Sequence, residues 1–113
     1  MHEMSLCESI LDILEQQAQA QHYRKVKTVW LEIGMLSSVE PEAMRFCFDA
    51  VMRGSLADQA RLEIVHVQAQ AWCLQCCQNV VIGQRYDACP TCGSHQLRIN
   101  AGEEMRIKEL EVE

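Results

Sequence analysis

No stretch of this 113-residue chain is apolar for long enough to span a bilayer, so membrane insertion is not expected. Repeats and low-complexity tracts are absent too, which sets aside solenoids and long disordered tails. Basic residues are scarce: ten Lys and Arg stand against sixteen Asp and Glu, for a formal net charge of −6. That balance opposes general nucleic-acid binding, which needs a phosphate-neutralising patch. There is no acid/base pair, phosphate loop or nucleophile constellation, so the chain is not expected to be an enzyme. It shows no N-terminal signal peptide, and with seven cysteines this points to a reducing cytoplasm rather than a secreted disulfide scaffold.

Cysteine is what the chain does have. Cys73-Leu74-Gln75-Cys76 and Cys89-Pro90-Thr91-Cys92-Gly93 are two C-x-x-C pairs separated by twelve residues. Each pair can fold into a tight turn aiming both sulfurs at one point, and two such turns suit one tetrahedral ion. Four thiolates at this spacing point to structural zinc in a ribbon, although spacing alone does not separate zinc from iron. Pro90 and Gly93 favour the second turn, proline by fixing φ and glycine by permitting a left-handed exit. Closed four-sulfur coordination leaves no position for a substrate. So short a segment buries little apolar surface, which makes metal binding its source of folding free energy. Four thiolates with one Zn²⁺ take the formal charge from −6 to −8. Between Cys73 and Cys92 the only basic residue is Arg85, with Asp87 close by, so the ribbon is expected to meet protein rather than nucleic acid. Cys77 is set aside as a ligand because adjacent residues rarely aim at one ion. Cys7 and Cys47 fall at apolar positions of expected helices and read as core.

The remaining chain reads as α+β: two helices packed on a small three-stranded sheet, with the zinc ribbon inserted. Residues 5–22 carry Cys7, Ile10, Leu11, Leu14 and Ala18 on one helical stripe, and Ser5 with Glu8 has capping-box spacing. Met1 to Met4 is then expected as a free tip. Residues 26–33 alternate as a strand, with Val29, Leu31 and Ile33 on one face, and Gly34 ends it. A second helix is predicted from Pro41 to Arg53, with Ser37 and Glu40 at capping-box spacing, Met44, Cys47, Phe48 and Val51 buried, and Gly54 as the stop. Leu62 to Ala69 reads as one strand leading into the ribbon, and its His66 as an ordinary strand residue. Met105 to Val112 reads as a third strand, with a bulge near Lys108 or Glu109. The ribbon is expected to leave and rejoin the sheet near one edge. The domain reading is thus 1–70 plus 101–113 for the α/β domain and 71–100 for the insert.

A second metal site is permitted at the tip. With histidine at position 2, the terminal amine, the His2 backbone nitrogen and its Nδ1 can chelate one ion through five- and six-membered rings. The Glu3 backbone nitrogen can close a square. Planar amide nitrogens favour Ni²⁺ or Cu²⁺ over Zn²⁺. The same residues also read as an ordinary solvated terminus. His22 and His95 have no partner in sequence.

Met1-His2-Glu3, a first helix with Leu6 and Cys7, the run Trp30-Leu31-Glu32-Ile33-Gly34, Val39-Glu40 before the second helix, and two late C-x-x-C pairs resemble the HypA/HybF family over essentially the whole chain. These are nickel metallochaperones of [NiFe]-hydrogenase maturation. The resemblance implies nickel at His2, with the Met1 amine and the Glu3 backbone, and structural zinc at Cys73, Cys76, Cys89 and Cys92. It implies a non-enzymatic carrier that serves the hydrogenase large subunit together with the maturation GTPase HypB. Cys77 and His95 lie outside the motif, and a homodimer is left open. One competing reading is a zinc-ribbon interaction adaptor or regulator without a transported metal. Another is a thiol oxidoreductase using one C-x-x-C, which two pairs at ribbon spacing disfavour.

Overall fold

A computed structural model of the chain describes residues 2–113. Its elements are α1 (Glu3–Gln21), β1 (Val26–Gly34), α2 (Pro41–Met52), β2 (Arg61–Val67), β3 (Ala69–Cys73), β4 (Gln78–Ile82), β5 (Leu97–Ala101) and β6 (Met105–Val112). The strands form two three-stranded sheets, ordered β2-β1-β6 and β4-β3-β5. No helix among the described residues is long and apolar enough to cross a membrane.

The chain divides into two compact units. One takes the chain up to Leu31, Val39–Val65 and Arg106–Glu113; the other takes Glu32–Ser38 and His66–Met105.

In the first unit, the predicted stripe of α1 holds: Cys7, Ile10 and Leu14 are buried. The helix ends at His22, which turns left-handed at φ 61°. Its start differs from the capping-box expectation. The helix begins at Glu3, with His2 as N-cap and no side-chain cap bond, so Ser5 and Glu8 sit inside it. The free tip is therefore shorter than the sequence suggests: Glu3 is helical and only 6% exposed. α2 begins at Pro41, where a fixed φ suits the first helical position. Glu40, not Ser37, is its cap, and the Glu40 carboxylate accepts the Ala43 N–H at 2.8 Å. The Ser37 hydroxyl instead donates to the Gly34 carbonyl at 2.8 Å. Met44, Phe48 and Met52 are buried, whereas Cys47 and Val51 are half-buried. In β1, Thr28 is buried as well as Val29, because its hydroxyl donates to Glu111 Oε1 at 2.7 Å and the polar group is satisfied.

Two strand expectations need correction. The run from Leu62 to Ala69 is not one strand: β2 stops at Val67, and β3 starts at Ala69 in the other sheet. From Val65 to Ala71 apolar and polar residues alternate across Gln68 and carry no sign of that break. Nor does the chain depart and return at one edge. It leaves from β2 and comes back through β6, the two outer strands, with β1 between them. In β6, Lys108 and Glu109 are successively exposed.

The second unit has its own small core: Ala69, Ala71, Cys73, Val80, Ile82 and Cys89, with Leu36, Cys76, Leu97 and Ile99 packed against it. β3 pairs antiparallel with β4 in the register Ala71↔Val80 and Cys73↔Gln78, and with β5 in the register Cys73↔Leu97. Alternation along β3 therefore puts Ala69, Ala71 and Cys73 inward and Trp72 outward. Three backbones converge at one end of this unit. A Cβ on Gly34 would lie 2.2 Å from the Gly102 carbonyl oxygen, and one on Gly102 would lie 2.6 Å from the Ala69 Cα. Only glycine permits that approach.

Candidate metal centre

Cys73 is the last residue of β3 and Gln78, its partner in the register, is the first of β4, so the first C-x-x-C is the turn of a hairpin. The Cys77 N–H donates to the Cys73 carbonyl at 2.9 Å, closing the turn, and Cys77 takes φ 54°. The second pair repeats this closure: the Gly93 N–H donates to the Cys89 carbonyl at 2.8 Å, with Gly93 at φ 78°. Backbone bonds brace both turns, Leu74 N–H to the Gln96 carbonyl at 3.0 Å and Cys89 N–H to the Ser94 carbonyl at 2.7 Å. A loop between the pairs is held by Asp87, whose Oδ2 accepts the Gly83 and Gln84 N–H groups, each at 3.0 Å. Arg85 donates to Glu103 at 2.6 Å and to the Leu36 carbonyl at 3.3 Å.

These turns bring together Cys73, Cys76, Cys89 and Cys92, whose sulfurs all lie within 4.8 Å of one another. Cys73 Sγ is 3.6 Å from Cys92 Sγ, and Cys76 Sγ is 3.8 Å from Cys89 Sγ. A tetrahedron with zinc–sulfur bonds of about 2.3 Å has edges of about 3.8 Å, whereas a disulfide needs about 2.05 Å. The separations thus match a tetrahedral metal shell. Four soft donors with no carboxylate or water position suit a metal such as zinc held structurally. Cys77 is exposed, and its sulfur turns toward the Leu74 carbonyl at 3.9 Å, away from the cluster.

The thiol protons are unevenly held. Cys89 is drawn down to about 6, chiefly because the Cys92 N–H donates to its sulfur and favours the thiolate. Cys73 is also lowered, first by the Cys76 N–H, which lies 3.5 Å away. Burial pushes Cys76 up to about 12. At Cys92 the Ser94 N–H pulls down, but burial and the neighbouring thiols Cys73 and Cys89 outweigh it and the net shift is upward. The first cysteine of each turn is therefore the readier thiolate, because the turn aims its backbone N–H groups at that sulfur.

The N-terminal candidates lie in the first unit. His2 is exposed, and its carbonyl accepts the Leu6 N–H at 2.9 Å as the first bond of α1. At the first helical position, the Glu3 backbone N–H has no intrahelical carbonyl to meet; it faces the residue's own carboxylate. That carboxylate reaches α2, with Oε2 accepting the Glu40 N–H at 3.2 Å, and its pKa is lowered chiefly by this bond. Nothing local in the sequence signalled the contact, which links residues far apart in the chain. The Met1 amine lies outside the described residues. Cys7 is core as expected, with burial pushing its thiol up to about 11. His66 and His95 are both exposed, the latter at the rim of a shallow depression of about 180 Å³ with Arg85, Tyr86 and Asp87.

Comparison with known proteins decides the lineage. The family described as "Hydrogenase/urease nickel incorporation, metallochaperone, hypA" matches residues 1–112. The chain belongs to the HypA family. It is 59% identical to the hydrogenase maturation factor HypA of Rhodopseudomonas palustris (strain BisA53) over 113 residues, the full length of both. It is 61% identical to that of Azotobacter chroococcum mcd 1, again over both full lengths. Among solved structures, the Ni metallochaperone HypA from Helicobacter pylori superposes with a TM-score of 0.73 at 28% identity, covering 99% of this chain and 97% of that one. A second HypA solution structure gives 0.75 at 28% identity, covering 99% and 96%. HypA membership accounts for the combination of two helices, two small sheets and a four-cysteine cluster, and it places the chain among hydrogenase maturation factors.

Proposed function

We propose that the chain is a nickel carrier that binds Ni(II) at its N-terminus and delivers it for [NiFe]-hydrogenase maturation in the cytoplasm. The ligands are His2, the Met1 amine and the backbone nitrogen of Glu3. Zinc is held by Cys73, Cys76, Cys89 and Cys92 and fixes the two turns of the insert. The partners are the GTPase HypB and the hydrogenase large subunit, and no step requires catalysis. The family match over residues 1–112 carries this reading. It is supported by the exposure of His2 at a helix start, where it is accessible to a recipient. Exposed chelates exchange ligands stepwise, whereas the buried thiols Cys73 and Cys89 belong to a closed set.

The domain reading follows. Residues 1–70 plus 101–113 serve nickel and 71–100 serve zinc in this reading; His2 and the four thiols lie in different compact units, the second of which also takes Glu32–Ser38 and residues 66–70 and 101–105. Expression of His2→Ala in a hydrogenase-producing strain lacking the native gene tests delivery. Loss of nickel in the large subunit, with the variant folded and zinc-loaded, is expected. Full maturation by the variant would replace the carrier reading with that of an adaptor.

A further inference from the structure

The sheet of the second unit has one face on its small core and one face open. Alternate residues point inward, so the open face is formed by Gln70 and Trp72 on β3, Asn79 and Val81 on β4, and Arg98 and Asn100 on β5. β3 is the central strand, and Trp72 lies opposite Asn79 on one side and Arg98 on the other. The indole is 41% exposed and Val81 is 53% exposed. A large aromatic ring therefore stands uncovered on the central strand.

Polar groups around the ring are already ordered. Asn79 Nδ2 donates to Gln70 Oε1 at 2.7 Å, and Asn100 Nδ2 donates to Asn79 Oδ1 at 2.7 Å, so one amide chain crosses all three strands. Asn100 reaches it where the β3–β5 register skips that residue, with Gln70 opposite Ala101 and Ala71 opposite Ile99. Each amide fixes the next, and a face ordered before it meets a partner loses less freedom on binding. The ends of the chain, Gln70 Nε2 and Asn100 Oδ1, keep a donor and an acceptor suited to a peptide backbone.

Two further donors are unspent. Among the described residues, neither the Trp72 indole N–H nor the Arg98 guanidinium has a hydrogen-bond or ion-pair partner. The other arginine of the unit differs: Arg85 is held by Glu103 and the Leu36 carbonyl. None of the six outward residues is acidic, so the face carries one positive charge in a chain of net −6. Its complement is a carboxylate beside an apolar side chain, the oxygens meeting the guanidinium and the carbon meeting the ring and Val81. Trp and Arg are also the residues that most often dominate the energetics of protein interfaces. A nucleic-acid strand would instead bring a phosphate with every base to a surface holding one cation, against the charge of the rest of the chain.

We propose that the outer face of β4-β3-β5, centred on Trp72 and Arg98, is a docking surface for an extended protein segment that presents a carboxylate next to an apolar side chain. It involves none of the nickel ligands, so it stands or falls separately from the carrier reading.

The test immobilises zinc-loaded protein and selects from a library of displayed random heptapeptides. Enrichment of sequences with Asp or Glu beside an apolar residue is expected. Arg98→Glu should select Lys or Arg in that place instead, and Trp72→Ala should enrich nothing. The most enriched wild-type peptide, titrated into nitrogen-15-labelled protein, should shift the indole N–H signal that Trp72→Phe removes. It should bind Arg98→Gln at least about tenfold more weakly, the loss of one charge-assisted hydrogen bond. Arg98 is exposed, so both of its variants should keep wild-type zinc content and amide dispersion, which separates lost binding from lost fold. No enrichment by folded wild-type protein, a selection that Arg98→Glu leaves unchanged, or a peptide that shifts no signal of this face would overturn the proposal. Oligothymidylate that shifts the Trp72 signal where peptides do not would overturn it in favour of nucleic acid.

Discussion

Cys77 and Gly93 occupy the same place in the two halves of the thiol cluster. Each follows the second cysteine of its pair, each is left-handed (φ 54° and 78°), and each donates its N–H to the carbonyl of the first cysteine, at 2.9 and 2.8 Å. The equivalence explains why a fifth thiol beside the cluster stays out of it. A left-handed residue closing the turn has its side chain carried away from the point where the two flanking sulfurs converge.

The same equivalence makes opposite predictions for the two positions. Left-handed backbone costs a non-glycine residue about 1–2 kcal/mol, partly offset by the extra unfolded-state freedom of glycine. Cys77→Gly should therefore raise the stability of zinc-loaded protein by about 0.5–1 kcal/mol, and zinc stoichiometry should stay at one per chain. Gly93→Ala should lower it by about 1 kcal/mol through conformation alone, since nothing lies within 4 Å of the added Cβ. Thermal melts check both, and loss of zinc from Cys77→Gly would contradict the geometry.

At Gly34 the obstacle is space rather than φ. An added Cβ would meet the Gly102 carbonyl at 2.2 Å, a backbone group that cannot swing aside. Gly34→Ala is expected to cost about 3 kcal/mol or more, at the upper end for overpacking. Gly54→Ala, left-handed with open space around it, should cost only about 1 kcal/mol. Equal losses in urea titrations would show that the close approach does not constrain this region.

Proton release on zinc binding should reveal the uneven thiols. The Cys92 N–H draws the Cys89 thiol down to about 6 from its ordinary 9.0, so at pH 7.5 the thiolate is the favoured form before zinc binds. Zinc uptake at that pH should release fewer than four protons, read with an indicator dye. Between pH 6 and 9 the unfolded chain holds the Cys89 proton that the folded chain has shed. The Cys89 contribution to metal-free stability is therefore complete above 9, falls with pH and is gone below about 6. Cys76, pushed up to about 12, works the other way: its contribution is complete below 9 and is lost as pH rises toward 12. Release of four protons at pH 7.5 would contradict the turn-imposed bias.

Residues whose signals are local were readable in the sequence. The four cysteines announce themselves by spacing, α1 and α2 by their stripes, and the start of α2 by Pro41. What stayed hidden depends on partners distant in the chain. β4 (Gln78–Ile82) and β5 (Leu97–Ala101) are five-residue strands whose pairing is imposed by the turns beside them. The break at Gln68 falls within the alternation from Val65 to Ala71 and divides it between two sheets. Glu3 reads as a solvated residue until the cap of α2 comes alongside, and the tertiary contacts it makes there start the helix ahead of the Ser5 signal.

In the proposed function, a transported metal and a resident one occupy separate places, His2 and the four thiols. Titration of Ni²⁺ into tag-free, zinc-loaded protein beside its His2→Ala variant, followed by heat and by ligand-field absorption, tests it most directly. One nickel per wild-type chain, no such uptake by the variant, and zinc retained in both are the expected results. Equal uptake by the two proteins, or displacement of zinc as nickel enters, would contradict it.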